Sequence, residues 1–116
     1  MSKEWMLKTL ASLGFTETDA EVYVFLATEG PQKATDIAVA LRIYKQQLYR
    51  TLKSLQTKGI VNTSPEHPTR FSAVLFEKVL DLLMEAKVEQ EKALQESKEE
   101  LLATWRSVTK KNYPKS

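Results

Sequence analysis

Along the first sixty positions apolar residues recur at the three- and four-residue spacing of amphipathic helices, interrupted at glycine-bearing turns. Over residues 4–13, Met6, Leu10 and Leu13 share a stripe, with Trp5 and Leu7 beside it, and Gly14 follows as a natural left-handed C-terminal residue. A first helix is expected there. Thr16 then offers an N-cap, with acidic Asp19 three positions on approximating a capping box and early carboxylates that suit the helix dipole. The second helix should run to about Thr28, burying Ala20, Tyr23, Leu26 and Ala27, and stop at Gly30-Pro31. Ala34, Ile37, Ala38 and Leu41 fit a short third helix over 34–41, whose small alanines allow close helix crossing. A fourth helix, from near Lys45 to Lys58-Gly59, turns Leu48, Leu52 and Leu55 inward.

The spacing then changes. Ile60–Thr63 and Arg70–Val74 are short β-prone runs, and Pro65 and Pro68 exclude helix from the segment between them, which predicts a hairpin with a stiff tip. From about Phe76 to Val108 neither glycine nor proline intervenes, so one helix of roughly 33 residues and about 50 Å is expected. Its first part, Val79, Leu80, Leu82, Leu83 and Ala86, is apolar enough to dock on the preceding domain. Its second part carries Leu94, Leu101 and Val108 at intervals of seven, with Gln90, Ser97 and Thr104 between them. Such a helix cannot bury its far end against a domain of about 75 residues, and a partner helix is the economical explanation. The expected organisation is a domain over 1–75, a dimerisation helix over 76–108 with Leu94, Leu101, Trp105 and Val108 at the contact, and a frayed basic tail over 109–116.

Composition narrows the chemistry. At 116 residues, with 42% hydrophobic and 28% charged positions, the chain is long enough for one core and too short for a second lobe. Cysteine is absent, which excludes disulfides, thiolate metal sites and cysteine nucleophiles, and the single histidine, His67, cannot build a multi-histidine site. No stretch of 18 apolar residues and no apolar N-terminal run is present, so a soluble, cytoplasmic protein is expected, with no membrane contact. The Glu-rich run from Glu85 to Glu100 has Lys87, Lys92 and Lys98 interleaved and reads as a salt-bridged helix surface. Trp5 and Trp105 read as packing anchors. No nucleophile–base pair, phosphate loop or metal cluster supports an enzyme, and no cofactor is expected.

Charge adds the positive indication. Residues 33–70 hold seven basic and two acidic groups, flanked by segments in which acidic residues prevail. Lys33, Arg42, Lys45, Arg50, Lys53, Lys58 and Arg70 form a basic island of the kind that faces polyanions, although basic helix faces are also common as plain solvated surface. At about 100° per residue the fourth helix turns Gln46, Arg50, Lys53 and Thr57 away from its leucines, with Gln47 and Ser54 flanking. Arginine pairs bidentately with guanine and glutamine with adenine. This assigns Gln46, Gln47 and Arg50 to base edges, and Lys45, Lys53 and Ser54 to phosphate. Arg70 at the hairpin base and His67 near its tip are candidates for the minor groove or backbone. Tyr49 reads as half core, its hydroxyl near the same face.

Three helices at the front, a short connection before the fourth and a hairpin after it follow the order of a winged helix-turn-helix: mainly α with a small β-hairpin, followed by a long C-terminal dimerisation helix. The residues carry a closer likeness. Leu13-Gly14-Phe15-Thr16-Glu17, Ala20-Glu21-Val22-Tyr23, Ile37-Ala38, Tyr49-Arg50-Thr51-Leu52-Lys53-Ser54-Leu55, Lys58-Gly59-Ile60-Val61 and Arg70-Phe71-Ser72-Ala73-Val74 together resemble the DNA-binding domain of the archaeal TrmB-type transcriptional regulators. The resemblance spans about residues 7–100. It implies a dimeric, sequence-specific regulator on double-stranded DNA, with the helix over about 45–58 in the major groove and the wing, 61–74, on backbone or minor groove. Members of that family often carry a C-terminal sugar-binding domain, so this chain resembles a short member. Whether a small-molecule effector acts, for instance at a dimer junction, is open. Lys33 stands where the family has a capping Thr or Ser, Arg42 where it favours Gly, and Tyr44 where a small or turn-forming residue is usual. The first two add positive charge, and Lys33 is counted among the DNA contacts. The competing reading is a winged helix used as a protein-interaction module.

Overall fold

The computed structural model describes residues 3–110, so from Lys111 onward the expected tail lies outside the described residues. Helix α1 (Lys3–Ser12) leads to α2 (Glu17–Glu29) through a turn in which Phe15 N–H donates to the Leu10 carbonyl at 3.1 Å. The α2 start is a complete capping box: Asp19 N–H donates to Thr16 Oγ1 at 3.0 Å and Thr16 N–H to Asp19 Oδ2 at 3.1 Å. This reciprocal pair satisfies two otherwise orphaned donors and accounts for the burial of Asp19. Gly30, at φ 82°, ends α2 with its N–H on the Leu26 carbonyl.

Helices α3 (Ala34–Leu41) and α4 (Lys45–Thr57) follow, then β2 (Val61–Thr63), β3 (Arg70–Ala73) and α5 (Phe76–Val108). All lie within a residue or two of the expected bounds. The hairpin, however, is part of a larger sheet. Gln32–Lys33 form a further strand, β1, antiparallel to β3, giving three strands in the order β1-β3-β2. Two residues are too few to show an alternating pattern, and β1 exists because β3 offers it an unpaired edge. Its register places Gln32 opposite Phe71 and Lys33 opposite Arg70, while Val61, Asn62 and Thr63 face Ala73, Ser72 and Phe71.

By contacts the chain divides into two compact units, Met1–Leu83 and Met84–Ser116. The first is built on Leu10, Val22, Leu26, Ile37, Leu48, Leu52, Leu55, Ile60 and Val79, all essentially without solvent exposure. Truncating a leucine at this depth costs about 2 to 5 kcal/mol, so the inward face of α4 cannot be altered without loosening the domain. Val79 draws the first turns of α5 into this unit. Phe15 meets Tyr23 edge-on at 6.2 Å between centroids, and the Tyr23 hydroxyl donates to the Val74 carbonyl at 2.7 Å, tying α2 to the end of the sheet. Burial, with the Glu77 carboxylate adding to it, holds the Tyr23 hydroxyl above its ordinary pKa.

Two expectations about packing need correction. Ala27 is exposed, and Val22 is the buried neighbour instead. Trp5 is half-exposed, since it lies about 140° round α1 from Leu10, on the side away from the core. Trp105, expected at a contact between two copies, is more than half exposed within its own unit. Among the described residues no helix is long and apolar enough to cross a membrane.

Candidate nucleic-acid interface

Helix α4 is the most strongly amphipathic helix of the first unit. Leu48, Thr51, Leu52 and Leu55 are buried, which fixes the rotation of the helix and leaves Gln46, Arg50, Lys53 and Thr57 in solvent on the opposite side. Rigid packing beneath, free side chains above: this is what a helix needs to present a fixed pattern of donors. Gln47 is exposed but engaged, its Nε2 donating to Thr18 Oγ1 at 3.3 Å, so it braces α4 against the start of α2. Ser54 is half-buried on the same flank. On the other flank Lys45 Nζ lies 5.9 Å from the centre of the Tyr49 ring, which is 47% exposed and so half core, as its place on the helix suggested.

The segment leading into α4 is unusual in two places. Arg42 caps α3 in the left-handed region, φ 55° and ψ 46°, the only described residue other than glycine with positive φ. Its N–H and that of Ile43 both close on the Ala38 carbonyl, so the helix end is properly sealed despite the residue type. Tyr44 is the N-cap of α4, in extended backbone at φ −62° and ψ 141°, and makes no side-chain cap bond. Its ring is 86% exposed. Helical projection from Leu48 places Tyr44 one turn earlier on the inward face. The extended N-cap backbone breaks that projection, and the ring stands in solvent.

Lys33 is the corresponding anomaly at α3. It is the N-cap, has suitable backbone at φ −77° and ψ 153°, and makes no side-chain cap bond. The sheet then places it directly across from Arg70. Side chains of directly paired residues rise on the same face, so two cations 37 positions apart in sequence become neighbours. The expected wing is also formed: Arg70 N–H donates to Ser64 Oγ at 3.0 Å and Ser64 N–H to the Arg70 carbonyl at 2.9 Å, closing the loop that exposes His67. Lys33, Thr35, Tyr49, Pro68, Thr69 and Phe71 line an open cleft between the start of α3, α4 and the wing. Thus Lys33, Tyr49 and the Arg70 strand lie around one feature, Gln46, Arg50 and Lys53 share the exposed face of α4, and Gln47 and Ser54 sit on its α2 side.

In the second unit, taken by itself, Leu94, Leu101, Trp105 and Val108 are all at least half exposed, and Leu94, Leu101 and Leu102 line one shallow apolar hollow with Gln95 and Lys98.

Over residues 10–77 the sequence matches the family described as the sugar-specific transcriptional regulator TrmB. The chain belongs to the TrmB family. It is 31% identical over 101 residues to the HTH-type sugar sensing transcriptional regulator TrmBL1 of Pyrococcus furiosus, a match covering 87% of this chain and 30% of that protein. The chain therefore spans about a third of the curated relative's length. Its fold is that of TrmBL2, described as an archaeal chromatin protein with a novel mode of DNA binding, at a TM-score of 0.74 and 23% identity over 99% of this chain and 47% of that one. Transcriptional regulator Tm0710 from Thermotoga maritima shares it at a TM-score of 0.58 and 20% identity, covering 97% of this chain and 90% of that one. The multiple antibiotic resistance repressor MarR does so at 0.55 and 19%, covering 97% and 87%. The family match takes in every candidate DNA contact of this TrmB-family chain and stops before Leu94, so the winged unit and the distal helix rest on separate grounds.

Proposed function

We propose that this chain is a transcriptional regulator that binds double-stranded DNA as a homodimer and carries out no catalysis. Helix α4 enters the major groove with Gln46, Gln47 and Arg50 at base edges. Lys45, Lys53 and Ser54 hold phosphates beside it, and Lys33, His67 and Arg70 meet the backbone or the minor groove. The distal half of α5 joins two copies through Leu94, Leu101, Trp105 and Val108. It works in the cytoplasm, at the nucleoid.

The observation that carries this reading is the Lys33–Arg70 cross-strand pair. Like charges directly opposite in a sheet destabilise it, by roughly 0.2 to 1 kcal/mol. An anion lying across both removes that penalty and converts it into attraction. The pair flanks the α4 face whose exposed arginine and lysine need the same partner, and a phosphate backbone supplies anions at both places.

Selection of bound fragments from a random double-stranded DNA pool, followed by titration of the selected duplex at several salt concentrations, tests the reading. A two-fold symmetric consensus is expected, with half-sites about 34 to 36 Å apart or a multiple of that, and affinity falling steeply with salt. No enriched sequence and a flat salt response would replace DNA by a protein partner.

A further inference from the structure

Tyr44 has no structural return for its position. As the N-cap of α4 it occupies a site at which Ser, Thr, Asp or Asn would accept a hydrogen bond from the first turn, and it makes none. Nor is it packed, with 86% of its surface in solvent. A single exposed ring is ordinary on a protein surface, and what singles this one out is its place, immediately before the exposed basic face of α4. It is also the third consecutive departure from local preference on this side of the molecule, after the uncapped Lys33 and the left-handed Arg42. Where several local rules are broken together, function is the usual reason. The first two departures add charge. The third adds an apolar plane.

Resting on the DNA-binding reading, we infer that Tyr44 is a specificity-determining residue whose ring packs against the C5-methyl group of a thymine in each half-site. The N-terminal end of a recognition helix lies deepest in the major groove, and Tyr44 immediately precedes that end, two positions before Gln46. Of the groups that base pairs present in the major groove, the thymine methyl is the apolar one. A ring contact there distinguishes thymine from cytosine and from uracil without a hydrogen bond.

The test uses the full chain and the duplex selected from a random pool, with each thymine replaced in turn by deoxyuridine, which removes only the methyl group. The wild-type chain should lose about fourfold in affinity at one thymine position per half-site, the value of one buried methyl. Tyr44→Phe keeps the ring and should show the same sensitivity. Tyr44→Ser restores a capping side chain, so it should melt at or above the wild-type temperature. On the thymine duplex it should bind about as weakly as the wild type binds the deoxyuridine one, with no discrimination between the two. The inference is overturned if the wild type is indifferent to every replacement, if Tyr44→Ser still discriminates, or if Tyr44→Phe loses discrimination with it, which would make the hydroxyl the contact. If the wild type selects no sequence at all, the DNA-binding reading falls and the Tyr44 assignment with it. If a sequence is selected and one of the other results appears, the Tyr44 assignment alone falls.

Discussion

Lys33→Thr changes two terms of opposite consequence. Threonine at the α3 N-cap, whose backbone already has the extended geometry required, would accept a bond from the first turn, worth about 1 kcal/mol. Removing the charge opposite Arg70 relieves a cross-strand repulsion of roughly 0.2 to 1 kcal/mol. Together they should stabilise the fold by about 1.5 kcal/mol, which for a domain of this size raises the melting temperature by about 6 °C. The two parts separate with salt. At 1 M the Debye length falls to about 3 Å, so the repulsion term fades and the cap term of about 1 kcal/mol remains. On DNA the sign reverses. Each protomer loses one phosphate contact, and two lost contacts per dimer should make the slope of log affinity against log salt shallower by about 1.8. Scanning calorimetry at low and high salt, with anisotropy titrations of a labelled duplex over the same range, measures both. A melting temperature that does not rise would refute the capping argument. An unchanged salt slope would take Lys33 off the DNA and leave the cross-strand pair without a purpose.

Arg50→Ala should weaken binding to the selected site by about 1 to 3 kcal/mol and relax preference at one base pair per half-site, whereas Lys53→Ala should lower affinity on all sequences alike. Equal losses on specific and random duplexes for Arg50→Ala would reassign it to phosphate. Tyr23→Phe removes the donor to the Val74 carbonyl and should cost about 1 to 2 kcal/mol in urea unfolding at neutral pH. Because burial and Glu77 raise the Tyr23 pKa in the folded state, that contribution is fully present below the ordinary tyrosine value of 10.0 and lost as pH rises through the folded one. The gap between wild type and Tyr23→Phe should therefore close in alkali, and a constant gap would contradict the burial argument. Leu101→Glu should leave the winged unit's thermal transition in place while sedimentation shows a monomer. A persisting dimer would place the contact elsewhere.

The helical part of the fold was legible because its signals are local. Thr16 and Asp19 announce the α2 start by chemistry that acts over three residues, and the leucines of α4 announce its inward face by a period that a strand cannot mimic. The wing followed from two prolines between β-prone runs. The β1 strand did not, because its pairing is set by the edge of β3 far along the chain and leaves no trace in Gln32-Lys33 themselves. For the candidate interface the consequence was specific. Lys33 and Arg70 were each singled out by charge, while their being neighbours was not. The exposure of Tyr44 was not legible, because the N-cap backbone is extended and carries the ring off the helical projection. Gln47 is assigned to base edges by its residue type and its place early in the helix, and only the structure reveals that Thr18 is within its reach.

The distribution of well-formed and poorly formed boundaries is itself informative. Elsewhere the boundaries are mixed: α2 starts on a full capping box at Thr16 and glycines with positive φ stand at positions 14, 30 and 59, while α5 starts after an exposed Leu75 that offers no capping oxygen. At the ends of α3 and the start of α4 the chain instead carries an uncapped lysine, a left-handed arginine and an exposed tyrosine. Each compromise costs about 1 kcal/mol, so the three together give up roughly 3 kcal/mol of a stability that for a domain of this size is about 5 to 15. These three stand together around the start of α4, where stability is not what they confer. Two cations and an aromatic ring beside a basic helix face are what a DNA duplex can use. On this account a winged unit rebuilt with the locally preferred residues at 33, 42 and 44 would fold better and hold DNA less well.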